Sequence, residues 1–367
     1  MRVFYDHQIF TEQKHGGISR YFFELMNRFK SKEDKLISST IVSNNEYLRY
    51  LQNSKSIPFF PNNQFRGKAR VMNLINRMNT ERLLKRGDYD VFHPTFYDSY
   101  FLKFLGNKPF VLTVYDLINE KFNSQFEYLK LEDEIIKSKR LLMKHASKII
   151  AISESTKTDI INYYQIDKNK IEVIYLGNSL LKHVGNQKAM FQFDYVLFVG
   201  NRTMYKNFIF TIQSVHQLLK QYDLKFVCFG GGQFSQNEID VINKLGLQNL
   251  VIQIGQHDDQ TLENLYSNAL FFIFPSMYEG FGLPLLEAFG CKCPVLSSTG
   301  GSLKEIAGDA AIYFDPSDSQ SLHKSFSEML DSTDLRDQYI KRGTERVSLY
   351  SWDKTYLETQ HVYKAII

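Results

Sequence analysis

Short runs of apolar, β-branched and aromatic residues alternate along the chain with longer segments whose apolar positions recur at helical spacing. The first series of short runs covers residues 3–5, 91–93, 110–115, 148–152 and 171–175. A second series covers residues 195–200, 225–230, 251–255, 270–275 and 294–297. Strands that alternate with helices predict βαβ units and parallel sheets. Because the rhythm restarts once, the pattern predicts two α/β domains.

The stretch between the two series is polar and has no periodicity. We therefore predict an N-terminal domain over residues 1–178, a linker over 179–194 and a second domain over 195–350. Residues 351–367 are predicted to form a C-terminal helix that packs back towards the first domain. Doubly wound sheets bind ligands beyond the carboxyl ends of their strands, so functional side chains are expected in a cleft between two facing Rossmann-like domains.

Composition narrows the class of protein. The 367 residues carry 44 basic and 40 acidic side chains, and a net charge of +4 is too small to indicate a nucleic-acid partner. Three cysteines are an odd number, and Cys291 and Cys293 lack the second pair that a zinc site needs, so buried thiols in a reducing compartment are expected. The N-terminus resembles a strand and no apolar run approaches the roughly 20 residues of a membrane span. These features predict a cytoplasmic protein.

The segment 274–290 reads Phe-Pro-Ser-Met-Tyr-Glu-Gly-Phe-Gly-Leu-Pro-Leu-Leu-Glu-Ala-Phe-Gly. It places Glu279 in a loop flanked by glycine and Glu287 on the following helix. Gly280 and Gly282 allow close approach of backbone N–H groups to a ligand, and a helix start favours anionic oxygen. Loop and helix together suit a phosphorylated sugar.

This segment resembles the signature of the retaining nucleotide-sugar glycosyltransferases of family 4, also called group 1, which have the GT-B fold. The resemblance implies that Glu279 and nearby amides hold the donor sugar hydroxyls, and that Glu287 accepts hydrogen bonds from the ribose hydroxyls. It also implies that the donor site includes Gly280, Phe281, Gly282 and Leu283. Other motifs of the family occur in the same order along the chain.

Two cations, Arg202 and Lys206, follow the first strand of the second domain. The family has an Arg and a Lys in this loop, which implies that both bind the donor diphosphate. Negative charge develops on the leaving phosphate, so cations aimed at it stabilise the transition state. We expect Arg202, Lys206 and Glu279 to act in catalysis without a required metal or other cofactor.

Glycine-rich turns follow two predicted strands. Gly16 and Gly17 precede a predicted helix and resemble the family's loop over the donor diphosphate. Gly230 begins a run of three glycines that would let the backbone approach a nucleotide, although a tight connecting loop explains that run equally well.

Three residues are assigned to the acceptor side. Tyr115 stands where many relatives have histidine, and Asp116 is retained. With an ordinary pKa of about 10, tyrosine is a poorer proton shuttle than histidine at neutral pH. His93 ends a predicted strand and is either an acceptor-side residue or a structural histidine. Asp88 and Asp90 match the metal motif of a different transferase fold, but they precede a strand, so no metal site is predicted.

The segment from Arg66 to Arg86 is basic and has Val71, Leu74, Ile75 and Met78 at helical spacing. One interpretation is a helix that contacts an anionic membrane at its inner face, where a polyprenol-linked acceptor would be found. The other is a solvated helix whose apolar stripe packs in the core.

The resemblance implies transfer of a hexosyl unit from a UDP- or GDP-sugar to a glycan or lipid-linked saccharide. The reaction would retain the anomeric configuration and serve cell-surface polysaccharide synthesis. Two alternatives stay open: a nucleotide-sugar epimerase or hydrolase on the same fold, and a catalytically silent nucleotide-sugar-binding subunit.

Overall fold

A computed structural model describes residues 1–29, 34–51, 54–123, 125, 133–180, 188–255 and 258–367. The chain divides into two compact units: Met1–Leu176 with Trp352–Ile367, and Gly177–Ser351. Of the predicted linker 179–194, residues 181–187 lie outside the described residues. The described remainder packs on the second unit, where the Met190 N–H donates to Asn264 Oδ1 over 3.0 Å.

The described part of the first unit contains six parallel strands in two sheets. Their bounds are β1 Arg2–Tyr5, β2 Lys35–Ser38, β3 Val91–His93, β4 Val111–Val114, β5 Lys148–Ala151 and β6 Ile171–Val173. The sheet orders are β2-β1-β3 and β4-β5-β6, and a parallel bridge between Phe92 and Phe110 joins them. The strands are short and mostly buried, as expected for a parallel sheet covered by helices.

Helices connect these strands. Their bounds are α1 Gln8–Glu12, α2 Gly17–Asn27, α3 Lys68–Arg86, α4 Ile118–Phe122, α5 Asp133–His145 and α6 Glu154–Tyr164. Ser153 caps α6 by accepting a 3.0 Å bond from the Thr156 N–H. Gly87 ends α3 at a φ of 67°, a left-handed conformation that glycine adopts without strain.

The second unit, as far as the structure describes it, is one parallel sheet of six strands with helices between them. Its strands are β7 Tyr195–Val199, β8 Lys225–Phe229, β9 Val251–Ile254, β10 Phe271–Phe274, β11 Val295–Ser298 and β12 Ala311–Phe314. Its helices are α7 Phe208–Gln221, α8 Gln236–Lys244, α9 Asp259–Asn268, α10 Leu283–Gly290, α11 Leu303–Ala307, α12 Ser319–Asp331 and α13 Thr333–Val347. The order β12-β11-β10-β7-β8-β9 reverses direction between β7 and β10. This is the strand order of dinucleotide-binding folds.

The last helix, α14 (Trp352–Lys364), belongs to the first unit. Its Thr355 hydroxyl donates to the Tyr175 carbonyl over 2.7 Å, and its Tyr363 hydroxyl lies 2.9 Å from that of Tyr5. None of the described helices is long and apolar enough to cross a membrane.

All ten predicted strands are confirmed, and two further strands among the described residues were missed. Strand β2 is only partly buried and reads Lys-Leu-Ile-Ser, which lacks both alternation and a continuous apolar run. Strand β12 has four residues and directly follows a short helix, so its pattern is too short to stand out.

Helix α3 buries a different face from the one that its apolar residues define. The buried positions are Lys68, Met72, Asn76, Thr80 and Leu84. Asn76 is held there because its side chain bonds to the backbone at Ile41 and Val42. Val71, Leu74 and Met78 are 42%, 59% and 64% exposed. The interpretation that this apolar stripe packs in the core is therefore wrong.

Candidate functional site

The loops that follow β7 and β10 meet where the strand order of the second unit reverses. The Met277 N–H donates to the Tyr205 carbonyl over 2.7 Å and so joins the two loops. Lys206 Nζ lies 2.5 Å from Glu279 Oε1, and both side chains are largely buried. Ligands of doubly wound sheets bind at this reversal point, so the two predicted residues are together where a ligand is expected.

The loop after β11 holds Glu279 from the other side. The Glu279 carbonyl accepts bonds from the Ser302 N–H at 3.0 Å and from its hydroxyl at 3.1 Å. A Cβ on Gly301 would lie 2.3 Å from that carbonyl oxygen, and one on Gly300 would lie 2.2 Å from the Met277 oxygen. Sequence reasoning missed these three residues. The signal available was the Thr-Gly-Gly-Ser turn directly after a buried strand.

The residues between the two glutamates form a tight turn into α10. Gly282 has a φ of 94°, and a Cβ there would lie 2.8 Å from Leu303. Phe281 is buried with its ring edge against Tyr350, so it packs in the core of the unit. Leu283 begins α10, and Glu287, one turn on, accepts a 3.3 Å bond from the Tyr266 hydroxyl. Gly280 is buried.

The role expected for Arg202, binding of the donor diphosphate, stays a prediction. Its guanidinium bonds to Glu238 at 2.9 Å, to the Gly230 and Gly232 carbonyls at 3.0 and 2.9 Å, and to the Gln233 carbonyl at 3.0 Å. The side chain is 3% exposed. The guanidinium therefore contacts protein acceptors in this structure, and the carbonyls of the glycine run that begins at Gly230 face it.

In the first unit, the predicted glycine loop begins helix α2. Gly17 is its first residue, and Gly16 is extended with a φ of 169°. A Cβ on Gly16 would lie 2.5 Å from Gln13 Oε1, which accepts a bond from the Ser19 N–H. Helix α1 lies between β1 and this loop, and α2 follows the loop, as the sequence predicted.

His93 is a structural residue, and the acceptor-side assignment is wrong. The ring is fully buried; Nδ1 lies 2.6 Å from the Tyr363 hydroxyl and Nε2 lies 2.9 Å from that of Thr113. Burial lowers the pKa of His93 to about 3. A neutral imidazole with both nitrogens engaged has no free position for a substrate.

Tyr115 and Asp116 lie at the carboxyl end of β4. The Tyr115 hydroxyl is buried and finds no hydrogen-bond partner among the described residues. Burial raises its pKa well above the usual value, so it stays protonated. Asp116 is half-buried and caps the next turn by accepting a 3.1 Å bond from the Ile118 N–H.

Metal binding was not expected, and that expectation stays a prediction. Within the described ranges, no group of three or more His, Cys, Asp or Glu side chains is arranged to hold a metal ion. Asp90 pairs with Arg2 at 3.0 Å and Asp88 with Arg86 at 3.0 Å. Both carboxylates of the Asp-x-Asp sequence are thus engaged by arginine.

Comparison with known proteins gives two family matches. Residues 15–179 match the model described as Glycosyltransferase Family 4, and residues 188–346 match that of Glycosyl transferases group 1. An uncharacterized glycosyltransferase of Methanocaldococcus jannaschii is 28% identical over 59% of this chain and 59% of its own length. O-antigen chain mannosyltransferase B of Escherichia coli is 27% identical over 60% of this chain and 61% of its own. The alignments thus span about three fifths of these relatives.

A solved structure has the same fold. The Anabaena protein HepE, determined in complex with UDP and glucose, superposes with a TM-score of 0.75 at 16% identity and covers 99% of both chains. The fold is accordingly GT-B, with two Rossmann-like units. The two family matches together span most of the sequence and include both loops at the reversal point. The chain belongs to the group 1 glycosyltransferases.

Proposed function

We propose that this protein is a retaining glycosyltransferase that moves a hexosyl unit from a UDP- or GDP-sugar to a glycan or lipid-linked saccharide. The observation that carries the proposal is the pair of Lys206 and Glu279 at the reversal point of the second unit. The Lys206 ammonium suits the phosphates of a sugar diphosphate. The Glu279 carboxylate, which only accepts hydrogen bonds, suits the hydroxyls of its sugar. Cell-surface polysaccharide synthesis is the proposed setting, on the strength of the O-antigen relative.

In this proposal Lys206 binds the donor phosphates and Glu279 binds hydroxyls of the transferred sugar. The ion pair holds both groups in place before the donor arrives, and the donor phosphates then compete with Glu279 for the ammonium. As the glycosidic bond breaks, negative charge grows on the leaving phosphate and Lys206 stabilises it more strongly than in the ground state. The cation thereby fills the electrostatic role that a metal ion has in other transferases.

Retention follows from attack by the acceptor on the face that the phosphate leaves, with that phosphate accepting the acceptor's proton. This route needs no protein nucleophile. It rests on the family resemblance, and the anomeric configuration of the product, read by NMR, tests it. Activity that persists in excess EDTA tests independence from metal.

The donor is tested by thermal shift and hydrolysis with UDP-, GDP-, ADP- and dTDP-sugars. We expect one nucleotide class to stabilise the wild type and to release nucleoside diphosphate slowly. Lys206→Ala and Glu279→Ala should lose both effects. The matched controls are Lys324→Ala and Glu328→Ala, an exposed Lys–Glu pair on α12. Absence of binding by the wild type to all four classes would overturn the proposal, and binding without turnover would indicate a silent subunit.

We further propose that the first unit contacts an anionic membrane through a basic apolar face formed by Phe60, Phe65, Arg66, Arg70, Val71, Leu74 and Met78. The five apolar side chains of this face are exposed, and both arginines are exposed beside them. Apolar side chains that enter the headgroup region and cations that meet anionic lipid act together in such contacts. An acceptor carried on a polyprenol would be reached from this surface.

Co-sedimentation with phosphatidylglycerol and phosphatidylcholine vesicles tests the membrane proposal. We expect binding to the anionic vesicles alone, weakened in the double variant Leu74→Ser with Met78→Ser. Leu357→Ser is the control, because Leu357 is equally exposed, at 60%, on α14. Equal binding to both lipids, or full binding by the double variant, would contradict it.

A further inference from the structure

A cavity of about 330 Å³ lies in the first unit, beside β2, the edge strand of the sheet β2-β1-β3. Its walls come from the C-terminal end of α2, from β2 and from residues that follow β2 in the chain. If one heavy atom takes the roughly 30 Å³ that a water takes in the liquid, this volume holds about ten non-hydrogen atoms. A small ligand therefore fits.

One part of the wall is apolar. Its side chains are those of Met26, Phe29, Leu36, Leu48 and Leu51. Met26 and Leu48 are 4% and 5% exposed, and the other three are half-buried. Inorganic phosphate or another wholly polar ligand would leave this part of the wall unfilled, so a matching ligand carries an apolar group.

The other part of the wall is polar and offers hydrogen-bond donors. It is formed by Lys55 and by the hydroxyls of Ser38, Thr40, Ser54 and Ser56, with no carboxylate among the described lining residues. The Ser38 and Ser54 hydroxyls accept from backbone N–H groups at 3.4 and 3.3 Å, so their own hydrogens remain available to a ligand. An ammonium and several hydroxyl donors suit an oxyanion.

Thr40 is the most buried residue of the polar part. It is 6% exposed, and its Oγ1 has no hydrogen-bond partner among the described residues. Buried hydroxyls in folded proteins normally have a partner. Rotation about the Cα–Cβ bond turns this hydroxyl towards a ligand in the cavity.

Backbone pairing brings the polar groups together. Val42 and Ile57 form a parallel bridge, and the Ile57 N–H donates to the Ile41 carbonyl over 2.7 Å. This pairing lays residues 55–56 alongside Thr40 and Ile41, at the spacing of about 5 Å between paired strands. The ammonium of Lys55 and the hydroxyl of Thr40 can therefore serve one oxyanion.

The surroundings of the polar part are apolar and exposed. Ile41 and Ile57 directly follow Thr40 and Ser56 in the chain, and they are 37% and 61% exposed. The same segment leads on to Phe60 of the basic apolar face. Lipid is the kind of molecule that such a surface meets.

We propose that this cavity binds an aliphatic chain that ends in an oxyanion. The oxyanion accepts hydrogen bonds from the Lys55 ammonium and from the Thr40 and Ser56 hydroxyls, and the first carbons of the chain pack on Met26 and Leu48. Two kinds of lipid have this chemistry: an anionic lipid with a straight chain and a polyprenol phosphate with a branched one. Binding here requires no nucleotide sugar in the second unit.

Calorimetric titration of the full chain tests the proposal with hexyl phosphate, isopentenyl phosphate, hexanol and inorganic phosphate. We expect at least one of the two alkyl phosphates to bind about tenfold or more tightly than hexanol and inorganic phosphate, because each of these lacks one half of the ligand. The tighter alkyl phosphate identifies the source as a straight or a branched chain.

Two variants test the polar part. Lys55→Gln should weaken the alkyl phosphate by about tenfold or more, because a charged donor is lost. Lys103→Gln is the matched control, at an exposed lysine that does not line the cavity. Thr40→Val should also weaken the alkyl phosphate but leave the free energy of unfolding unchanged or higher, since the hydroxyl has no partner among the described residues. A purely structural hydroxyl would show the opposite pattern.

Two further variants locate the site. Ser54→Phe fills the cavity and should abolish binding of the alkyl phosphate. The double variant Leu74→Ser with Met78→Ser should bind it as the wild type does, because these residues of the basic apolar face do not line the cavity. Failure of the membrane proposal is thereby distinguished from failure of this one.

Three results would overturn the proposal. The first is the absence of binding of either alkyl phosphate at millimolar concentration. The second is binding of hexanol as tight as that of the alkyl phosphates, which would show a merely apolar cavity. The third is binding of the alkyl phosphate that persists in both Ser54→Phe and Lys55→Gln, which would place its site elsewhere.

Discussion

Lys206 and Glu279 form an ion pair of 2.5 Å between two loops that are more than seventy residues apart in the sequence. The pair links the first and fourth strands of the second unit at the point where the strand order reverses. It is the contact around which the proposed donor site is built.

Lys206→Ala is expected to lower kcat for transfer or donor hydrolysis by about 10²- to 10³-fold, the usual effect of removing one group that stabilises transition-state charge. Lys206→Arg should keep a larger part of kcat than Lys206→Ala, because it retains the positive charge. Steady-state kinetics measures both. A change smaller than that of Lys324→Ala, the exposed control, would rule out a catalytic role.

Gly301→Ala is expected to reduce activity nearly as much as Glu279→Ala, because the added methyl would lie 2.3 Å from the Glu279 carbonyl and displace the loop. The control is Gly106→Ala. Gly106 has a φ of 60°, close to the 62° of Gly301, but a Cβ there meets nothing within 4 Å. Equal activity in the two variants would show that the contact with Glu279 is unimportant.

Lys139→Met is expected to lower the free energy of unfolding by about 3–5 kcal/mol, since it leaves a buried carboxylate without its cation. Lys139 Nζ lies 2.9 Å from Glu120 Oε1, and both side chains are 2% exposed. The double variant Lys139→Met with Glu120→Gln should lose less than Lys139→Met. Urea denaturation measures the three values, and a double variant that loses more would contradict the expectation.

Tyr115→Phe is expected to leave the free energy of unfolding unchanged or slightly higher, because the hydroxyl has no partner among the described residues. Tyr97→Phe is the matched comparison. The Tyr97 hydroxyl accepts a 3.1 Å bond from the Tyr115 N–H, so its loss should destabilise the protein by about 1–3 kcal/mol. If Tyr115→Phe destabilises as much as Tyr97→Phe, its hydroxyl has a structural partner.

His93 should make stability depend on pH. Its pKa in the folded protein is about 3, below the ordinary value of about 6.5, so the unfolded chain binds a proton first as the pH falls. The contribution is complete above pH 6.5 and is lost progressively between pH 6.5 and 3, by about 1.4 kcal/mol per unit in the middle of that range. The difference between wild type and His93→Gln, measured from pH 7 to 5, isolates it. A constant difference would contradict the lowered pKa.

The sequence predicted the fold well because the signals for it are local. Buried parallel strands need short apolar runs, and the ten predicted runs all became strands. It also predicted that Lys206 and Glu279 share a site, because both follow strands whose carboxyl ends lie on one edge of a sheet. The resemblance to the group 1 glycosyltransferases implied the chemistry, and the two family matches confirm that the chain belongs to that family.

The roles of individual polar side chains were harder to predict. Arg202 follows a predicted strand, and its guanidinium bonds to backbone carbonyls. His93 ends a predicted strand, and its ring nitrogens lie beside two hydroxyls. Their partners come from Gly230, Gly232, Thr113 and Tyr363, which are distant in the sequence. No local pattern states whether a polar group at a strand end meets a ligand or another part of the chain.

What the sequence determined by itself is the alternation of strands and helices, the two units and the order of the motifs, because these depend on hydrophobic period and on turn chemistry. What the tertiary structure decided is which polar groups stay available. The same physics explains the exposed apolar face of α3: the side-chain bonds of Asn76 hold a mixed stripe inward, and the more apolar neighbouring face is left exposed. Burial and hydrogen-bond partners are properties of the folded chain: Lys206 meets the Glu279 carboxylate, whereas Arg202 meets Glu238 and a run of backbone carbonyls.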